Sequence, residues 1–243
     1  MADAVVEASE GGFAQQLAGL YLSPREAFRS ILGRPKLVVP LLGLVAIQVL
    51  FTAFWMRKID PLDFVKTQIE ESGRADRIPP EKREEVFEQQ AKFFKVIGWV
   101  GALVGAPILV LVVGSLYLFV FRFLFGGDVT FGQALTIVAW SFLATALVTT
   151  PLTYLTLSLK GDWNVNPQDA LQANLAALLD KETAPKPLYA LAGSLDLFSF
   201  WVLWLLSVGF GVASRRPTSA AAMGVVGVWA VYVLGRVGFA AVF

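Results

Sequence analysis

The sequence predicts an all-α, polytopic membrane protein, built as a bundle of five transmembrane helices. Five apolar runs hold about half of the 243 residues, and the only formal charges inside them are Asp196 and Arg236. A helix rises 1.5 Å per residue, so about 20 apolar residues cross a hydrocarbon core about 30 Å thick. A soluble helix of that length would keep one polar face. The predicted spans are residues 37–56, 96–121, 131–157, 189–213 and 218–243.

The composition excludes several classes of function. The chain has no cysteine and no histidine, which removes thiol nucleophiles, zinc sites of the usual kind and histidine acid–base catalysis. Asp196 is the only carboxylate inside a predicted span, so an intramembrane aspartyl pair cannot form. A net charge of +1 does not favour nucleic acid. We therefore expect no enzyme, no catalytic residues, no cofactor, no metal and no nucleic-acid partner.

Residues 1–243 form one predicted membrane domain, which begins with a tail and an interfacial helix at 1–35. No base precedes Arg25, so the start does not resemble a secretory signal. The segment from Ser23 to Glu26 has the pattern of a capping box, and Gly33 ends the helix that follows. Its apolar and basic sides fit a helix in the headgroup plane, or one packed against the bundle.

The first and third loops are also predicted to contain amphipathic helices. Residues 57–95 hold nine Lys/Arg and nine Asp/Glu. Asp60 and Pro61 start one helix there, and Pro79-Pro80 open another that runs into the second span. In the third loop, residues 166–169 are expected to cap a helix that ends near Lys181.

The remaining connections are tight, at 122–130 and 214–217. Successive spans reverse direction, so the two long loops lie on one side of the membrane. The loop-bearing side carries twelve Lys/Arg and the other side seven. The positive-inside rule favours the loop-bearing side as cytoplasmic, but Arg215 and Arg216 lie directly at span ends, so charge leaves the orientation open.

A candidate intramembrane polar site combines the two charges with the hydroxyl face of the third span. Ser141, Thr145 and Thr149 recur every four residues and share that face. They could line a hydrated path, or bond to backbone carbonyls. Asp196 and Arg236 fall at similar depth, and our hypothesis is an ion pair; the alternative is that each snorkels to the interface.

Glycine pairs mark candidate helix contacts. Gly101 and Gly105 form a G-xxx-G motif in the second span, and Gly224 and Gly227 lie on the fifth. Small residues at this spacing allow two helix backbones to approach closely. We therefore expect these four positions to be helix-packing residues.

Three segments resemble the YIP family of Ypt/Rab-interacting five-pass membrane proteins, in its bacterial branch. They are the stretch from Leu124 to Ser141 that contains Leu-Phe-Gly-Gly-Asp-Val-Thr-Phe-Gly-Gln-Ala, the stretch Ser-Pro-Arg-Glu-Ala-Phe from Ser23, and Leu-Asp-Leu-Phe-Ser-Phe-Trp from Leu195. The resemblance implies a cytoplasmic N-terminus and a C-terminus on the opposite side. Eukaryotic relatives act in vesicle traffic with small GTPases. This chain has only a short N-terminal segment and no Asp-Leu-Tyr-Gly-Pro stretch.

Two functions remain open. The first is a non-enzymatic scaffold or adaptor of the bacterial cytoplasmic membrane, in contact with lipids and with protein partners or further copies of itself. The second is a small transporter or lipid-handling protein that uses Asp196, Arg236 and the hydroxyl face. Against the second, the halves of the chain contain no inverted pair of interrupted helices.

Overall fold

Helices form all of the regular secondary structure in the described residues. The computed structural model describes residues 12–71, 73–171, 173–180 and 183–242. These residues contain no strand, only one isolated bridge between Asn174 and Asp196. This confirms the all-α class. The α-helices are α1 (Phe13–Leu22), α2 (Pro24–Gly33), α3 (Val38–Met56), α4 (Pro61–Glu71), α5 (Arg83–Phe119), α6 (Phe131–Lys160), α7 (Pro167–Ala170), α8 (Lys186–Ser194), α9 (Leu197–Ala213) and α10 (Thr218–Val242).

Four helices are long and apolar enough to cross a membrane: α3, α5, α6 and α10. The most buried is α6, with 56% of its most apolar window buried, against 11–17% for the other three. A helix that is apolar and yet exposed is stable only in lipid. These helices therefore establish a polytopic membrane protein.

The predicted fourth span, 189–213, is divided in two by the structure. Helix α8 ends at Ser194, and α9 begins at Leu197 with 17 residues, a length of about 26 Å. The chain at the break pairs with another backbone segment instead of continuing the helix. The amide of Leu197 donates to the Ala173 carbonyl (3.1 Å), and the amide of Leu175 donates to the Leu195 carbonyl (3.3 Å).

The same pairing corrects the prediction for the third loop. Asn166 does cap a helix, since its side chain accepts the Gln168 amide at 3.0 Å. That helix, α7, has only four residues, and the only later helical turn before α8 in the described residues is the 3-10 turn Leu175–Leu178. The extended conformation needed for the bridge at Asn174 interrupts the helix expected to end near Lys181, which itself lies outside the described residues.

Helices α1 and α2 form a hairpin at Ser23. The Ser23 amide donates to the Gly19 carbonyl (2.7 Å), and a Cβ placed on Gly19 would lie 3.0 Å from the Ala27 Cβ. Ser23 is the N-cap of α2, as predicted, but its side chain makes no capping bond. Its carbonyl serves instead, accepting the Glu26 amide at 3.0 Å. The side-chain part of the predicted capping box is therefore wrong.

Helix α2 packs against α9 rather than lying free in the headgroup plane. Phe28 is fully buried and Ile31 is 2% exposed, and a Cβ on Gly209 of α9 would lie 3.2 Å from the Phe28 ring. Arg25 and Arg29 remain exposed on the other side. Of the two alternatives left open by the sequence, the packed helix is the one observed.

The described chain divides into two compact units, each made of discontinuous segments. One contains the described parts of Met1–Leu41, Val110–Thr145 and Ala173–Phe243, with the α1–α2 hairpin and helices α8 to α10. The other contains the described parts of Leu42–Leu109 and Ala146–Gln172, with α4 and the first part of α5. The units hold different candidate sites, which are taken in turn below.

Candidate functional site

The second unit contains a folded head, which we define as the described residues of 55–95 together with 157–170. Its side chains form a hydrophobic cluster of their own. Trp55 stands edge-on to Phe64, with ring centroids 5.2 Å apart, and Phe64 lies 4.8 Å from Phe94. The Trp55 indole donates to the Trp163 carbonyl at 3.1 Å. The buried members are Trp55, Ile59, Phe64, Val65, Ile69, Ala75, Phe87, Ala91, Leu157 and Ala170.

The sequence dictates the helix that closes this core. Asp60 starts α4 by accepting the Leu62 amide through Oδ1 at 2.8 Å. Val65 and Ile69 recur four residues apart, so they share one face, and both are buried. The predicted helix at Asp60-Pro61 and its apolar face are therefore confirmed.

Helix α5 carries the head beyond the hydrocarbon layer. At 37 residues it is about 55 Å long, whereas the hydrocarbon core is about 30 Å thick. The run without charged residues begins at Val96, and Val96 and Ile97 are 61% and 66% exposed. The preceding residues 83–95 include six charged side chains, so this segment must lie outside the hydrocarbon. The predicted continuity between the loop helix and the second span is confirmed.

The surface of the head is charged with both signs, in a definite arrangement. Glu84 and Glu85 lie in the first turn of α5, where carboxylates are favoured by the helix dipole, and both are exposed with Glu88 one turn later. Lys92 and Lys95 lie nearer the apolar stretch and are also exposed. Glu84, Glu85 and Glu88 therefore lie farther from the apolar stretch of α5 than Lys92 and Lys95 do, and two bases, Lys82 and Arg83, come just before them.

Asp196 is positioned by the break in the fourth span. It is the N-cap of α9, and its Oδ1 accepts the Ser199 amide at 2.9 Å. Asp is among the preferred N-cap residues, because its carboxylate satisfies an otherwise unpaired N–H. An Asp directly before an apolar run is itself a helix-start signal, which the sequence analysis did not use.

Arg236 contacts the end of α8 instead of Asp196. Its Nη1 lies 3.3 Å from Ser194 Oγ, and a Cβ on Gly193 would lie 3.6 Å from its Nη2. Ser194 is 5% exposed and donates to the Ala190 carbonyl at 2.8 Å. In the described part of the chain, Asp196 and Arg236 make no ion pair within 4.0 Å. The proposed pair is therefore not formed: Asp196 caps α9, and Arg236 contacts Ser194 instead.

The hydroxyl face of the third span is buried in its first part. Ser141 is fully buried, Thr145 is 8% exposed and Thr149 is half-buried. The Thr145 hydroxyl donates to the Ser141 carbonyl at 3.0 Å, which is the backbone-bonding alternative named above. The three residues therefore follow one face of α6, and the side-chain hydrogen bonds of Asp196 and Arg236 are made within α8 to α10.

Three buried polar atoms on the same stretch of α6 have no hydrogen-bond partner among the described residues: Thr136 Oγ1, Trp140 Nε1 and Ser141 Oγ. The Trp140 ring lies 5.2 Å from Phe13 of α1. Tyr21 of α1 donates its hydroxyl to the Ala144 carbonyl at 2.7 Å, and burial raises the pKa of that phenol. Helix α1 therefore covers a polar part of α6.

The predicted glycine contacts are mostly not made within the described residues. A Cβ on Gly224 would lie 3.2–3.3 Å from the side chains of Val120, Phe121 and Phe125. At Gly101, Gly105 and Gly227, no described neighbour lies within 4 Å. The close approaches occur at glycines that the G-xxx-G pattern does not mark, and these are Gly19, Gly98, Gly114, Gly127, Gly209 and Gly211.

No group of three or more acidic residues suited to a metal occurs in the described ranges. Comparison with curated proteins and comparison with solved structures each gave no match. The model of the Yip1 domain family, in contrast, matches residues 18–239, nearly the whole chain. The match includes both units, the head and all of the apolar helices. This protein belongs to the Yip1 family.

Proposed function

We propose that the protein is a non-enzymatic membrane scaffold or adaptor whose head binds a protein partner. The observation that carries the proposal is the hydrophobic core of the head. Helices α9 and α10 are joined by only four residues, 214–217, so two spans can be connected without a folded structure. The head instead uses 39 residues between α3 and the apolar part of α5, and it buries an aromatic cluster.

The arrangement of charge on the head supports a partner with a basic surface. Glu84, Glu85 and Glu88 form an exposed acidic face at the end of α5 farthest from the membrane. Complementary charge speeds association and selects between partners. Lipid headgroups are a poor fit for this face, because membrane surfaces are neutral or anionic.

Transport is the weaker alternative. A hydrated path would need polar groups that are free to contact the solute. The Thr145 hydroxyl and Asp196 Oδ1 are instead hydrogen-bonded to the backbone of their own helices, although the buried Ser141 Oγ has no hydrogen-bond partner among the described residues. A direct measurement separates the two functions, since a scaffold reconstituted in liposomes leaves them tight to small solutes and a transporter does not.

The first experiment is site-specific photo-crosslinking in native membranes. A photo-reactive residue at Glu88 is expected to give discrete protein adducts, and one at Val104, which is 43% exposed on the apolar part of α5, is not. Charge reversal at E84K/E85K should remove the adducts, whereas the reversal D128K on the tight-turn side should not. Equal adducts at both positions, or adducts only with a second copy of the chain, would contradict the adaptor proposal.

We further propose the bacterial cytoplasmic membrane as the location, with the N-terminus in the cytoplasm and the head and C-terminus on the opposite side. The chain has no cysteine, so single substitutions report orientation without interference. Positions 88 and 128 are both exposed, so their labelling depends only on the side of the membrane on which they lie. An impermeant maleimide added to spheroplasts should label E88C and not D128C. The reverse labelling pattern would show that the orientation is the opposite one. The adaptor proposal does not depend on the orientation and is tested by the crosslinking.

A further inference from the structure

Helices α9 and α10 enclose a groove that the proposed function does not use. Its volume is about 280 Å³, and both helices belong to the same compact unit. We call it the α9–α10 groove. Its lining residues are Phe200, Leu203, Trp204, Ser207, Thr218, Ser219, Ala222, Val226 and Trp229.

The length of the α9–α10 groove matches one leaflet of a bilayer. Along α10 it runs from Thr218 to Trp229, a distance of about 16 Å at 1.5 Å per residue. Half of a hydrocarbon core about 30 Å thick is about 15 Å. Phe200 and Trp229, with ring centroids 5.9 Å apart, lie at the deep end. An acyl chain that enters from the tight-turn side therefore ends near these two rings.

The end of the groove nearest the tight turn 214–217, its mouth, carries hydroxyl side chains, and an exposed arginine precedes them in the sequence. Thr218 and Ser219 lie there in the first turn of α10, where the helix dipole favours an anion. Arg215 precedes them and is exposed, and its backbone is left-handed, with φ of 55°. That conformation ends α9, since Arg215 follows the C-cap Ser214 and the Arg216 amide donates back to the Gly211 carbonyl at 2.9 Å, in a helix ending whose left-handed position usually carries glycine. Arg216 is already engaged, since it donates to the Phe125 carbonyl and lies over the Phe125 ring.

The neighbouring turn adds to the positive charge. A Cβ on Gly127 would lie 3.3 Å from the Ser214 Cβ, so the two tight turns lie side by side. Together, residues 122–130 and 214–217 contain three arginines and one aspartate. An anionic lipid phosphate at this level has a complementary surface beside it, whereas the groove below is almost entirely apolar.

We propose that the α9–α10 groove binds one acyl chain of an anionic phospholipid from the tight-turn leaflet, with its phosphate beside Arg215. One site then accounts for the length of the apolar groove, for the hydroxyl groups at its mouth and for the net positive charge of the two tight turns. The inference is independent of the head and of its partner.

The test is native mass spectrometry of the detergent-purified full chain. The chain is titrated with palmitoyl-oleoyl phosphatidylglycerol, and separately with the phosphatidylcholine that has the same acyl chains. The expected result for the unmodified chain is tighter binding of the first phosphatidylglycerol. R215G should lower that preference about fivefold, since one arginine near a membrane surface contributes on that scale, and R215K should retain it. Glycine tolerates a positive φ, so R215G is expected to keep the fold.

A second pair of variants tests the groove itself. A222F places a ring in the groove and should weaken the first binding step for both lipids. M223F adds a similar ring on the same helix at a site that is 67% exposed and outside the groove, so it should bind as the unmodified chain does. Unchanged preference in R215G, or unchanged binding in A222F, would overturn the proposal. So would a change of oligomer mass in A222F with lipid binding intact, because a second copy would then be the occupant.

Discussion

Replacing Phe64 by alanine should unfold the head locally and leave the membrane helices intact. Phe64 is 7% exposed and contacts two rings, Trp55 at 5.2 Å and Phe94 at 4.8 Å. A buried Phe→Ala change costs about 3–5 kcal/mol, which includes the cavity it leaves. The lost contacts lie within the head and its own hydrophobic cluster, so we expect the cost to fall on local opening of α4.

The assay is hydrogen–deuterium exchange of the α4 amides in lipid nanodiscs. Each 1.4 kcal/mol is a factor of ten, so exchange should accelerate by about two to three and a half orders of magnitude, up to the rate of an unprotected amide. The matched control is F93A, which removes the same side chain from a site 57% exposed on α5. Unchanged exchange in F64A, or equal acceleration in F93A, would refute the idea that the cluster holds the head together.

Three further predictions concern the other unit. G209A should lower the free energy of unfolding by about 1–3 kcal/mol in thermal denaturation, because its Cβ would lie 2.5 Å from Ile137 Cγ2. G227A, with open space around it, should be neutral or stabilising. A G227A variant less stable than G209A would contradict the packing. D196A should lower the free energy of unfolding by about 0.5–2 kcal/mol because it removes an N-cap, while D196N should be nearly neutral. If D196N is as unstable as D196A, the negative charge is needed and the N-cap explanation is wrong. R216A should lower the melting temperature, since it removes a charged hydrogen bond to a carbonyl and a ring contact; an unchanged melting temperature would mean that this contact contributes nothing.

The fold class and the helices of the head could be predicted from the sequence because they depend on local signals. Apolar length indicates a span, and Asp60-Pro61 marks the start of α4 whatever surrounds it. The continuity of α5 from Arg83 into the membrane followed from the lack of a breaker. In each case the information lies within one helix.

The break in the fourth span could not be predicted in this way. It depends on the backbone of residues 173–175 pairing with residues 195–197, which are separated by a whole loop. Apolar content alone shows no interruption there. Once the break exists, Asp196 becomes a cap and the depth argument for its pairing with Arg236 no longer applies.

Three of the four predicted glycine contacts are not seen within the described residues, for a related reason, while Gly224 does make a close contact. The G-xxx-G spacing shows that a helix face can be approached closely, but not which helix approaches it. Gly209 makes its contact because Phe28 arrives from the α1–α2 hairpin, and nothing near Gly209 in the sequence signals that. Gly101 and Gly105 satisfy the motif and have no described neighbour within 4 Å.

The adaptor proposal is tested most directly by crosslinking from Glu88 in chains whose heads differ only in folding. The photo-reactive residue at 88 is combined with F64A or with F93A, and the protein adducts are counted in native membranes at equal expression. The account predicts that adducts persist with F93A and disappear with F64A, because the partner recognises a folded acidic face. Equal adducts in both would contradict it, since the core of the head would then have no part in recognition.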